Sequence, residues 1–209
     1  MEPVDLALAL AVDSSGSISN EDLALQFDGY IRAITSGAFI NAVRSGLHGT
    51  IALTFVTWSS AGRQDQVVPW MRIDGMSAAR QFAARLLRAP GPVPGFTSIS
   101  GAIDYARQKL SVCGYAFTRQ VIDISGDGSN NDGRSVTEAR DEAIAAGITI
   151  NGLPIVHLEP DIAAYYSENV IGGDSAFVTV AKDIGSFHAA VLEKFVAEIA
   201  QVDARSCLG

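Results

Sequence analysis

Leu6 to Val12 is an unbroken apolar run, LALALAV, that stops at Asp13. It is too short to cross a membrane, and no other stretch is long and apolar enough to do so. It resembles the core of a signal peptide, but Met1-Glu2 and Asp5 place acid where a signal carries base. A run bounded in this way reads as a strand buried on both faces. Such a strand requires helices packed on each side of a sheet.

The rest of the chain supplies them. Ser19 and Asp22 form a capping-box pattern, and Leu23, Phe27, Tyr30, Ile31 and Ile34 follow at helical spacing. Thr50 to Trp58 is rich in β-branched and aromatic residues and reads as a second strand. Gln66 to Arg72 is a shorter one, with Pro69 marking a sheet edge. A helix over Ser77 to Arg88 stops before the loop Pro90 to Gly95. Ser98 starts another helix, with Ile99, Ala102, Ile103, Ala106 and Leu110 on one face. The strand Arg119 to Ser125 leads into a glycine-rich loop, Gly126 to Gly133. A helix from Ser135 to Ala146 is closed by Gly147, and the strand Ile148 to Leu153 follows. A helical stretch near Asp161 to Ser167, a short strand Ala176 to Val180 and a last helix, Asp183 to Val202, complete the order.

This alternation predicts an α/β, Rossmann-like, doubly wound fold. The expected sheet is mostly parallel and six-stranded, with one antiparallel edge strand and helices on both faces. The length of 209 residues, with 48% hydrophobic and 18% charged, suits a single domain over 1–209. The net charge of −8 argues against nucleic acid as the partner.

In a sheet of this kind, functional groups gather beyond the carboxyl ends of the strands. Three loops lie there: Asp13-Ser14-Ser15-Gly16-Ser17, Gly95-Phe96-Thr97-Ser98 and Ser125-Gly126-Asp127-Gly128. They offer carboxylates and hydroxyls, with no thiolate or imidazole. Oxygen-only ligands favour hard cations, Mg²⁺, Mn²⁺ or Ca²⁺, over Zn²⁺. Taken singly, Asp13 is a turn residue and Thr97 or Ser98 a helix cap. The three loops in their strand-to-helix contexts reverse that balance. His48, His157 and His188 are scattered and form no motif that would activate Ser15 as a nucleophile.

Asp13-x-Ser15-x-Ser17 resembles the D-x-S-x-S signature of von Willebrand factor A domains and integrin inserted domains. Thr97 and Asp127 match the family's second and third loops. The resemblance implies a metal-ion-dependent adhesion site made of Asp13, Ser15, Ser17, Thr97 and Asp127, holding one divalent cation, Mg²⁺ first. A protein partner would then supply an Asp or Glu carboxylate to the open coordination position. Trp58, Phe96 and Asn130 would form the partner-binding rim. Gly126 departs from the pattern, because many members carry threonine there. The surrounding text, AVDSSGSIS and ITINGLPI among it, also resembles a bacterial, exported branch with no assigned function. That implies a periplasmic or extracellular location with the signal already removed. In the family the last helix can slide when ligand engages the metal.

Two other functions compete with binding. A hard cation beside carboxylates supports hydrolysis or phosphoryl transfer, but the matched loops add no nucleophilic aspartate, lysine or second metal. A structural interaction domain would bind no metal. Cys113 and Cys207 fall at the same end of the sheet, opposite the metal loops, and stay open between two thiols and one disulfide.

Overall fold

A computed structural model of the chain describes residues 1–89, 91, 95–156, 159–183 and 185–200. Five strands form one sheet: β1 (Pro3–Asp13), β2 (Ile51–Trp58), β3 (Gln64–Ile73), β4 (Ala116–Gly126) and β5 (Thr149–Pro154). Their order is β3-β2-β1-β4-β5. β1, β2, β4 and β5 run parallel, and β3 pairs antiparallel with β2 at the edge. The β2–β3 register shifts between Leu53 and Phe55, opposite the stretch that holds Pro69. Proline cannot donate to a ladder, so an edge with an irregular register tolerates it.

β1 is the middle strand, and its alternation builds the two layers. Leu6, Leu8, Leu10 and Val12 face one side, with α1 (Asn20–Ile34), α2 (Gly37–Arg44), α3 (Met76–Leu86) and α7 (Phe187–Ala200). Ala7, Ala9 and Ala11 face the other, with α4 (Ile99–Ser111), α5 (Val136–Ala145), α6 (Ile162–Tyr165) and a π-helical turn, Tyr166–Val170. Each buried leucine contributes about 1.5–3 kcal/mol. The alanines leave room for Ala102 and Ala106 of α4 to approach the sheet. On the leucine side, Tyr30 packs edge-on against Phe55 at 5.2 Å and Phe187 at 5.4 Å, joining α1, β2 and α7.

Three expectations about the fold need correction. The sheet has five strands among the described residues, not six. Around Ala176 to Val180 the backbone makes only isolated bridges, Gly152 with Val178 and Ile155 with Ala181. The Asn151 side chain takes the Phe177 N–H at 3.0 Å, and Pro154 has no N–H to offer, so a continuous ladder cannot form. Asp183 does not start the last helix. It exchanges hydrogen bonds with Ser186 in a local turn, and α7 begins at Phe187. The short α2, capped by Ser36, carries no separate signal in the sequence reading. The stretch near Asp161 to Ser167 is helical in two steps, with the π-helical turn replacing its second half. The Cys113–Cys207 pairing, Pro90, residues 92–94, His157 and the chain past Ala200 lie outside the described residues.

The leucine-side layer also holds a polar cluster. Lys194 of α7 is fully buried. It contacts Asp123 of β4 at 2.8 Å and pairs with Glu198 one helical turn on. Asn151 donates to Glu198 Oε1 at 2.8 Å. Arg119 donates to the Glu198 and Ile199 carbonyls at the end of α7. Burial pushes the Asp123 carboxyl up to about 7, with Lys194 opposing and Glu198 adding to the rise. The folded state therefore keeps a proton that the unfolded chain has released. This contribution to stability is complete below pH 3.8 and is lost as the pH rises through about 7. Asp123→Asn should flatten stability over that window in urea titrations; an unaltered pH profile would count against the burial. Lys194→Ala leaves two carboxylates without their cation and should cost about 3–5 kcal/mol at pH 8.

Candidate metal centre

Asp13 is the last residue of β1, and strand parity turns its side chain to the α4 side of the sheet. It is fully buried. Oδ1 accepts the Ser15 N–H at 2.7 Å, whereas Oδ2 has no hydrogen-bond partner among the described residues. Burial, with the nearby Asp127 charge adding, pushes this carboxyl up to about 7 against the pull of the Ser15 hydrogen bonds. The Ser15 and Ser17 hydroxyls lie 3.2 Å apart, and Ser17 donates to Asp127 Oδ1 at 2.7 Å. Asp127 immediately follows β4 and is also buried.

Thr97 reaches the same region from the loop ahead of α4. Its N–H donates to Asn131 Oδ1 at 2.8 Å, and its carbonyl accepts the Asn131 N–H at 2.9 Å. Further bonds hold these loops together. Ser14 gives both its N–H and its hydroxyl to the Trp58 carbonyl, the Gly16 N–H meets the Gly95 carbonyl, and the Ser98 N–H meets the Ser59 carbonyl. The strand-end loops thus form one hydrogen-bonded rim. Ser15 and Thr97 are buried within it, while Ser17 is exposed.

The rim residues divide. Phe96 is 67% exposed beside Thr97 and is available to a partner. Trp58 is not: it is 1% exposed and packs in the α4-side core with Ile99. Strand register explains this, since Trp58 stands opposite Asp13 and both side chains turn to that face. Asn130 is used internally, accepting the Ser100 N–H at 3.0 Å and donating to the Arg134 carbonyl at 3.2 Å. His48 donates its backbone N–H to Asp5 at the opposite end of β1, and His188 lies on α7.

Gly126 now has a physical reason. A Cβ there would stand 2.9 Å from both Asp13 Oδ2 and the Tyr166 hydroxyl. Tyr166 projects from the π-helical turn, is fully buried, and its hydroxyl also has no partner among the described residues. Burial, reinforced by Asp13 and Asp127, pushes that phenol well above its usual range. The space where threonine is expected is thus taken by a tyrosine from a distant segment, which sequence spacing does not reveal.

The donor set fits a hard divalent cation. It is all oxygen, it contains two carboxylates, and a buried carboxylate oxygen lacks a partner. Among the described residues no three of His, Cys, Asp and Glu cluster as a metal site, because hydroxyls make up the rest of this one.

A family model described as "Protein of unknown function (DUF1194)" matches residues 3–203. The chain belongs to that family. No curated protein matches the DUF1194 chain. Solved structures do, at low identity. The proximal thread matrix protein 1 of the mussel byssus, in a crystal "with zinc occupied MIDAS motif", gives a TM-score of 0.68 at 13% identity. That match covers 96% of this chain and 49% of the mussel one. The pilus adhesin SpaC of Lactobacillus rhamnosus GG, in an open conformation, gives 0.68 at 16%, over 96% and 30%. The vWF domain of the type V pili tip protein Mfa5 of Porphyromonas gingivalis gives 0.66 at 10%, over 94% and 95%. The chain therefore spans about half of the mussel protein and less than a third of SpaC. The fold is of the von Willebrand factor A type.

Gly126→Ala should destabilise the domain by about 1–3 kcal/mol, as overpacking does. Adding Tyr166→Phe should restore part of that loss in denaturant melts. No recovery in the double variant would mean that the hydroxyl is not what crowds the site.

Proposed function

We propose that this domain is a protein-binding module that works through a divalent cation held by Asp13, Ser15, Ser17, Thr97 and Asp127. The observation that carries the reading is the Asp13 carboxylate, buried where the three loops meet, with Oδ2 unpartnered among the described residues. A bound cation, Mg²⁺ first and Mn²⁺ or Ca²⁺ as alternatives, supplies a positive centre for a partner's Asp or Glu carboxylate. Asp13 and Asp127 provide the countercharge that retains it. Ser15, Ser17 and Thr97 provide neutral oxygens, and the exposed Ser17 marks the side open to solvent. Phe96 offers an apolar contact beside it.

Support comes from the neighbours in fold. One carries zinc at its adhesion motif, and two belong to bacterial pili. The same reading takes the protein to be exported, periplasmic or extracellular, and to act by adhesion rather than catalysis. Among the described residues no helix is long and apolar enough to cross a membrane.

The test is thermal unfolding of EDTA-stripped protein with and without Mg²⁺, Mn²⁺ or Ca²⁺. Cation should raise the melting temperature of the wild type by mass action and leave Asp13→Ala unmoved. Asp13→Asn should melt higher than wild type without metal, because it removes a buried charge, and should not respond to cation. The Asp13 proton must leave for cation to bind, so the metal-induced rise should shrink as pH falls below about 7. A full metal response in Asp13→Ala would remove that residue from the site.

A further inference from the structure

We propose that Tyr166 is a positioning residue for the cation site, its phenol hydroxyl donating to Asp13 Oδ2 in the cation-bound state. The proposal rests on the cation-binding reading above, and Tyr166 is not a ligand in it. Two glycines on neighbouring strands clear its path. A Cβ on Gly152 of β5 would stand 2.8 Å from Tyr166 Cδ1, and one on Gly126 of β4 would stand 2.9 Å from its hydroxyl. The ring therefore lies over β5 with its hydroxyl at the end of β4. The neighbouring Tyr165 braces the same segment against the third loop, accepting the Asn130 N–H on its own hydroxyl at 3.2 Å.

Geometry joins the phenol to Asp13. The same Cβ position on Gly126 is 2.9 Å from Asp13 Oδ2, so the two oxygens lie no farther apart than twice that distance. One hydrogen bond or one bridging water spans such a separation. Both side chains are fully buried, and neither oxygen has a partner among the described residues. The phenol can donate, and the carboxylate can accept. A phenylalanine would fill the place of the ring without the cost of an unmet buried hydroxyl. A second state of the site, in which the Asp13 carboxylate faces a cation and takes the donor, accounts for the hydroxyl.

Chemistry gives the consequence. An ionised carboxylate has about four acceptor positions. The Ser15 N–H takes one on Oδ1. Tyr166 takes one on Oδ2, and positions remain for the cation. A hydrogen bond to a charged acceptor is among the stronger ones, and this one fixes the plane of the carboxylate. Loss of a group that orients a metal-holding side chain in this way weakens metal binding about 10–100-fold.

The experiment is calorimetric titration of the EDTA-stripped full chain with Mg²⁺ or Ca²⁺ alone. It is run at about pH 8, above the value of about 7 for the Asp13 carboxyl, so that protons compete little with the cation. Tyr166→Phe should bind about 10–100-fold more weakly than wild type. Without cation it should melt no lower than wild type, because it loses only an unmet hydroxyl. Raman difference spectra add a readout that ring packing alone would not move. Cation should shift the tyrosine bands of the wild type toward those of a donating phenol, and Tyr166→Phe should lose that shift. Wild-type affinity in Tyr166→Phe, while Asp13→Ala binds nothing, would overturn the inference and leave the cation site standing. A Tyr166→Phe that melts well below wild type without cation, or does not fold, would overturn it too, because the hydroxyl would then be partnered already. A wild type that takes up no cation would bring down both the inference and the reading on which it rests.

Discussion

A carboxyl group ends the central strand of this protein fully buried from solvent. Asp13 pairs with Trp58 of β2, its side chain faces the packed α4 layer, and one of its oxygens has no donor among the described residues. An uncompensated buried carboxylate is costly enough that the group tends to take up a proton instead, as its raised affinity for protons shows. The carboxyl-end face of the sheet is arranged around that demand. Hydroxyls and a second carboxylate converge on the same point, and the loops that bring them are joined mainly through backbone groups. A positive ion would satisfy the demand more fully than a proton, because it also engages the neighbouring oxygens.

The rim is held by hydrogen bonds between loops. Trp58 and Ser59 at the end of β2 anchor the first and second loops, and Asn131 anchors the second to the third. Each bond crosses between segments far apart in the chain, so the position of a hydroxyl depends on the whole sheet. Rigidity of this kind suits recognition, because a pre-organised site loses less entropy when a ligand arrives. On the opposite layer, Lys194, Asp123 and Glu198 form a buried ionic group between β4 and α7. Breaking it would expose mismatched charge, so it specifies how α7 sits on the sheet.

Much of this was legible along the chain. The LALALAV run, Pro69 in an edge strand and the apolar face of α4 follow from periodicity and backbone chemistry, and the structure bears them out. The convergence of Asp13, Ser17 and Asp127 follows from their places at strand ends, and a direct Ser17–Asp127 hydrogen bond realises it. Other features leave no local trace. Trp58 and Phe96 both look like exposed aromatics near the site, yet strand parity buries one and a loop exposes the other. Asn130 has the composition of a rim residue and serves as a clamp. Tyr166 behind Gly126 belongs to no recognisable spacing, because it arrives from a different part of the topology.

The amino-acid sequence by itself determined the layers, the strand-to-helix alternation and the chemistry on offer at the sheet's carboxyl end. These depend on periodicities of two and about 3.6 residues and on the side-chain types in short loops. Only the tertiary structure decided that the sheet holds five strands among the described residues and that Gly126 yields its space to Tyr166. Those outcomes depend on which atoms occupy the same few ångströms, and steric exclusion and burial act between residues whose distance along the chain carries no information about their distance in space.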